Sequence, residues 1–297
     1  MPETALVERG RPEDVGDFDG RPLAVVTHRS ERRRLRSLLG FLLAWVILVG
    51  AWEIATRTGF LNSSILPPPS QFLPTLFHGG LSAGVGPDQV GFGEAVVDTL
   101  LRVLAGFALG LVAALGLGTV LAAQARARGV FLPMIQTIAP IAPVAWVPVA
   151  LALVGTGGSA AIFVVFMGMF ATMSLATVAA LTEVPDELVK AARSLGTRGW
   201  RLWSRVILPA AAPNLATASR LSFFAAWMAV LAGEMAGIHS GLGALIILGQ
   251  QQFQMDIVMV GLVTIGVLGF TMDRLLLLIR RRLLWWESRA STASSYA

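Results

Sequence analysis

The sequence predicts an all-α, polytopic membrane protein with six transmembrane helices and both termini in the cytoplasm. Three observations carry that prediction. The 297 residues are 55% hydrophobic and only 14% charged, with a mean hydropathy of +0.70, whereas charged residues make up about a quarter of a soluble domain. Six runs meet the length a helix needs to cross a bilayer, roughly 20 apolar residues. The arginines gather in alternate connections between those runs, as the positive-inside bias requires.

The elements follow in order. Residues 1–28 are polar and without amphipathic period, and with the basic cluster after them they predict a flexible cytoplasmic tail over 1–36. SERRRLRSLLGFLLAWVILVGAW then feeds an apolar run, about Leu38 to Ala55. A signal peptide opens this way too, and the paired arginines invite a twin-arginine reading. The run is long enough to span, however, and no small-residue cleavage site follows closely, so an uncleaved first span is expected. Residues 62–94 are rich in Pro and Gly and predict an outside loop with one short interfacial helix. Five further spans are expected near Leu100–Ala123, Phe131–Val154, Ala160–Leu181, Ala216–Ile238 and Ile257–Leu278. Small residues, as in GFALGLVAALGLG (106–118), let membrane helices approach closely. Pro133, Pro140, Pro143 and Pro148 interrupt the third span; a helix lining a cavity and a kinked, fully packed helix both fit.

With the N-terminus inside, Arg29, Arg32, Arg33, Arg34, Arg36, Arg126, Arg128, Arg280, Arg281 and Arg282 are cytoplasmic, leaving Arg57 outside and Arg102 at a span's edge. The net charge of +5 then belongs to cytoplasmic loops and argues for no nucleic-acid partner. The absence of cysteine excludes disulfides, thiolate zinc sites and thiol chemistry. His28, His78 and His239 are scattered in depth, so no metal site and no catalytic residue is assigned.

Between the fourth and fifth spans, EVPDELVKAARSLGTRGWRLWSRVILP is basic and aromatic without being a span. Pro185, Asp186 and Glu187 suit a first helical turn. Leu188, Ala191, Ala192 and Leu195 repeat on one face. Gly196 suits the left-handed position that ends a helix, and Thr197 suits the cap of a second. That second helix is expected to carry Trp200, Trp203 and Val206 or Ile207 on one stripe, with Arg198, Arg201 and Arg205 on another, and to close at Leu208-Pro209. Two short amphipathic helices with a glycine elbow fit a docking element for another protein, the alanines permitting close approach, or a lipid-facing interfacial loop.

Lys190-Ala191-Ala192, three residues, Gly196, nine residues, Val206 and Leu208-Pro209 resemble the EAA motif of ABC-importer permeases, with lysine in place of its glutamate and valine in place of its isoleucine. LPPPSQFLPTLF (66–77), residues 99–118, 133–157, 219–246 and 269–286 resemble, in the same order, permeases of the nitrate, sulfonate and taurine branch. The resemblance implies the type I ABC-importer permease fold over 37–287, a short tail over 288–297, and residence in a bacterial cell membrane. It implies a second permease subunit (a homodimer is expected), an extracytoplasmic binding protein, and a cytoplasmic ATPase dimer that holds ATP and Mg. It also implies an ATPase-coupling role for Glu187, Lys190, Ala191, Ala192, Arg193, Leu195, Gly196, Trp200, Leu208 and Pro209. A sulfonate or taurine is the first expectation for substrate, with nitrate and other small solutes open. A P-loop needs lysine after glycine, and Lys190, the only lysine, follows Val189, so this chain holds no P-loop and energy for uphill transport is expected from another subunit or from an ion gradient.

Ionisable groups within spans mark functional sites with a partner. Glu234 and Asp273 are such groups, with Arg220 the intramembrane candidate to pair with one of them; gating or cavity-lining and a structural bond are both open for Glu234. Asp98 with Arg102, and Glu53 with Arg57, are spaced for local pairing at span edges. Trp146, between two prolines, either constricts the pathway or fills a kink. An ion-gradient-coupled carrier is the rival reading, although no inverted repeat relates the two halves.

Overall fold

The computed structural model describes residues 27–74, 82–83, 90–238 and 240–284, and it is helical but for one two-residue strand pair. Residues to Ile54 form one unit and those from Ala55 another. In the first, α1 (Thr27–Arg57) carries the expected apolar run. It starts within the tail expected over 1–36: residues 27–36 are helical, in keeping with the good helix propensity of arginine and leucine. The rest of that tail, and all of 288–297, lie outside the described residues.

The second unit opens with α2 (Pro69–Phe72) and strands β1 (Ser82–Ala83) and β2 (Val90–Gly91), which pair antiparallel. Helices α3 (Phe92–Ala123), α4 (Ala125–Ile138), α5 (Val147–Val154), α6 (Gly158–Thr182), α7 (Asp186–Ser194), α8 (Trp200–Leu202), α9 (Leu208–Met235), α10 (Leu242–Gln251) and α11 (Met255–Leu283) follow.

Small residues on one face of α3 determine the centre of the fold. A Cβ added to Gly106 would fall 2.6 Å from Val165, and one on Gly118 would fall 2.5 Å from Thr177. Only glycine permits that approach, and packing of this kind is what holds membrane helices together. The matched order makes α3 and α6 parallel. Gly233 beside Ala161, and Ser222 beside Met173, make α9 antiparallel to α6. Trp227 against Gly269 and Arg220 on Asp273 make α11 antiparallel to α9. Phe107 meets Phe223 edge to face at 5.3 Å within this core. Hydroxyls inside the helices bond back to their own backbone, as Thr177 does to Met173.

The alternation sorts the connections. The α3–α4 link, residues 183–207 and the end of α11 lie at one end of the bundle. The starts of α3 and α6 and the α9–α11 connection lie at the other. Arg126, Arg128, the stretch from Lys190 to Arg205 and Arg280–Arg282 therefore collect at one end.

The third span, expected over 131–154 with prolines interrupting it, is a broken pair: α4 and the segment Pro143–Val154 meet at 96°. Ala142 is extended (ψ 140°) because the ring of Pro143 disfavours helical backbone before it. Leu208-Pro209 closes no helix, since the chain runs on from Trp200 to Met235. Residues Trp203–Ile207 form a π-helical turn in which the Leu208 N–H reaches the Trp203 carbonyl. Pro209, lacking an N–H, is accommodated in the first turn of α9. Among the described residues α3, α6, α11 and the Trp200–Met235 helix are long and apolar enough to cross a membrane, with the broken pair a further candidate.

Candidate functional site

The basic stretch folds as an elbow. Pro185 precedes α7, whose first turn carries Asp186 and Glu187 and whose last carries Arg193, each charge matched to its end of the helix dipole. Gly196 takes φ +83°, and the Thr197 N–H bonds the Ala192 carbonyl, ending α7 in a Schellman motif. The cap expected of Thr197 is not formed, because α8 starts two residues later than expected: Gly199, at φ +56°, takes the cap position with no side-chain cap bond.

The expected apolar face is divided by burial. Ala192 is buried beside Ala180, Leu181, Leu202, Ile207 and Ala211, so its small size serves packing within this chain and not approach by another. Ala191 and Leu188 face outward, Leu195 is 86% exposed and Trp200 76%. Trp200 also parts from Trp203 and Ile207, which turn inward. Arg198, Arg201, Arg205, Glu187, Lys190 and Arg193 are exposed, and Leu208 and Pro209 are half-buried where the elbow joins α9. The outcome is a crest of apolar side chains ringed by charge. Nothing in the structure explains lysine at position 190.

A second arrangement lies at the opposite end of the bundle. Glu234, 1% exposed, accepts hydrogen bonds from Thr99 Oγ1 (2.8 Å), Arg102 Nη1 (3.0 Å) and the Gly243 N–H (3.0 Å). Arg102 also donates to the Ser240 carbonyl (2.8 Å), the Ser240 hydroxyl and Asp98 (2.8 Å). Thr99 Oγ1 accepts the Leu242 N–H at 2.9 Å. Gly241 takes φ +101°, and a Cβ there would overlap the Glu234 carboxylate. The carboxylate thus occupies the amide-rich N-terminus of α10, where negative charge is favoured.

The local pairing expected of Arg102 with Asp98 holds, and Arg102 additionally reaches Glu234, Thr99's other neighbour. Thr99 and Ser240 carried no expectation; the sequence signal was the Gly241-x-Gly243 spacing after Glu234, meaningful only once α10 folds back. Arg220 pairs with Asp273 through two bonds, one of 2.8 Å, tying α9 to α11. Trp146 is half-buried at the end of the 3-10 turn that begins at Pro143, near the bend. The structure does not gather Trp146, Arg220 and Glu234 into one site. Among the described residues no group of acidic or histidine side chains fits a metal ion; His78 and His239 lie outside them.

Comparison with known proteins agrees with this architecture. A probable ABC transporter permease protein of Brucella abortus (strain 2308) is 34% identical over 86% of this chain and 99% of its own. The taurine transport system permease protein of Escherichia coli (strain K12) is 27% identical over 82% of this chain and 87% of its own. The bicarbonate transport system permease protein of Synechococcus elongatus is 29% identical over 84% and 88%. A chain of the MetNI methionine ABC transporter, solved in inward-facing conformations, shares the fold at a TM-score of 0.54 and 22% identity, over 64% of this chain and 93% of that one. Residues 106–285 match the family described as binding-protein-dependent transport system inner membrane component. The chain belongs to that family and is a membrane permease subunit of an ABC importer.

Proposed function

We propose that this permease moves a small oxyanion or sulfonate inward, powered by a separate ATPase dimer docked on the elbow of α7 and α8. One observation carries the docking: Leu188, Ala191, Leu195 and Trp200 stand exposed on a short, charge-ringed helical crest at the basic end of the bundle. A crest of this size suits helix-in-groove recognition. The collection of arginines at that end supports its placement in the cytoplasm, with both termini there and α1 and the broken pair completing six spans. A second copy of this chain completes the pathway, an extracytoplasmic binding protein delivers the solute, and ATP and Mg are held by the ATPase. Taurine and bicarbonate, carried by the relatives' systems as named, are small molecules that each bear an anionic oxygen group, and they support a substrate with such a group, a sulfonate being the first choice.

The test is reconstitution of the permease with its ATPase and binding protein in proteoliposomes. Saturable, ATP-dependent uptake of labelled taurine, an alkanesulfonate, nitrate or bicarbonate is expected. Uptake driven by a proton or sodium gradient without the ATPase would overturn the reading.

A further inference from the structure

The Glu234 cluster is costly. It takes three ionisable side chains partly or wholly out of water, and apolar packing would stabilise the fold as well or better. Every member is nevertheless satisfied. The carboxylate accepts bonds from a side-chain hydroxyl, a guanidinium and a backbone amide, and the guanidinium spans Asp98, Glu234 and Ser240. Fully satisfied buried networks make the elements they join rigid. Those elements are α3, the end of α9, Ser240 and α10.

The glycines around the cluster make room for it. Besides Gly241, a Cβ on Gly243 would fall 2.7 Å from Glu234 Cβ, and one on Gly158 would fall 3.0 Å from Arg102 Nε. Helix α10 has ten residues, about 15 Å, too few to cross a bilayer. Nothing about its length fixes its depth; its N-terminal amides do, by binding Thr99 and Glu234. Helix α10 also walls a cavity of about 350 Å³ that Glu234 itself lines, together with Met235, Gly237, Ile238, Ala244 and Ile247.

We infer that Thr99, Arg102 and Ser240 are positioning residues that act through Glu234 to clamp α10 onto α3 and α9. The three helices then travel as one body through the transport cycle, and the cavity beside α10 keeps a fixed wall. Access to the pathway changes at other surfaces of the bundle. Neither Arg102 nor Thr99 meets the solute; they hold the wall that does.

The chain has no cysteine, so introduced pairs are unambiguous. Ala95 and Leu245 share a buried cluster between α3 and α10 outside the clamp. In the reconstituted transporter, Ala95→Cys/Leu245→Cys bridged by a cleavable bifunctional thiol reagent should retain uptake within about twofold of the unbridged pair, because a rigid contact has no motion to lose. A loss of about tenfold on bridging, reversed by reduction, would show that α10 moves against α3 and would overturn the inference.

A second measurement reads the clamp without transport. A thiol at Ile247→Cys should react with a polar reagent about tenfold faster when Arg102→Met is added, as an unpaired buried carboxylate draws water to the wall. Thr99→Val, which keeps the side chain's shape, should act in the same direction, and Arg102→Lys should restore part of the protection. Unchanged labelling in both Arg102→Met and Thr99→Val, with the complex recovered intact, would equally sink the clamp. The inference rests on the transport role proposed above. Failure of the unsubstituted complex to transport would count against that role alone, since labelling remains readable.

Discussion

Glu234 illustrates what a single buried side chain does in this fold. Its charge is balanced by Arg102, by the Thr99 hydroxyl and by an amide at the start of α10. Removing it leaves the Arg102 guanidinium enclosed with only Asp98 as a counter-charge, which costs about 3–5 kcal/mol in comparable buried pairs. Glu234→Ala is therefore expected to lower the unfolding midpoint of the detergent-purified protein far more than Glu234→Gln, which still accepts the Gly243 and Thr99 bonds. Gly241→Ala should cost stability too, about 1–3 kcal/mol from its left-handed backbone alone, with overlap on the carboxylate in addition. Equal midpoints for Gly241→Ala and the parent would refute the described loop geometry.

At the scale of the element, α7 and α8 divide their residues between two tasks. Ala192, Leu202 and Ile207 anchor the elbow on α6 and α9, while Leu195 and Trp200 project from it. Substitutions on the two sides should separate accordingly. Leu195→Asp with Trp200→Ala is expected to reduce ATPase recovery in pull-downs by about tenfold, the scale of one lost hot spot, with the permease's own melting unchanged. Ala192→Trp should instead destabilise the permease, because over-packing a filled site costs about 1–3 kcal/mol. An ATPase yield untouched by the double substitution would remove the crest from the docking surface. The π-helical turn at Trp203–Ile207 joins α8 directly to α9, so the second arm of the elbow and the core helix are one continuous helix.

For the whole molecule, the parallel α3–α6 pair and the antiparallel α9 and α11 place connections alternately at two ends. The proposed orientation makes the arginine-rich end cytoplasmic. Single cysteines report this directly in an otherwise thiol-free chain. In intact cells Arg128→Cys and Arg201→Cys should resist a membrane-impermeant maleimide until the membrane is opened, whereas Ser63→Cys should label at once. The reverse pattern would invert the topology and move the crest away from any cytoplasmic ATPase.

The apolar runs and the arginine bias were enough to read a helical membrane protein and its long helices α1, α3, α6, α9 and α11, because bilayer thickness and backbone satisfaction leave few alternatives. The elbow was equally local: Pro185, Gly196 and the charges of α7 act within a turn of where they stand. Other features required the folded chain. The break at Ala139–Ala142 depends on which proline wins, and α10 was too short and too far from any periodic signal to be recognised. Thr99, Arg102, Glu234 and Ser240 come from distant parts of the sequence, Arg102 and Ser240 standing 138 residues apart. Sequence alone identified Glu234 as a charge in need of a partner; only the packing of α9 on α3 supplied one, Arg102, and the return of α10 added an amide, because a buried carboxylate is satisfied by whatever donors the tertiary fold brings within about 3 Å.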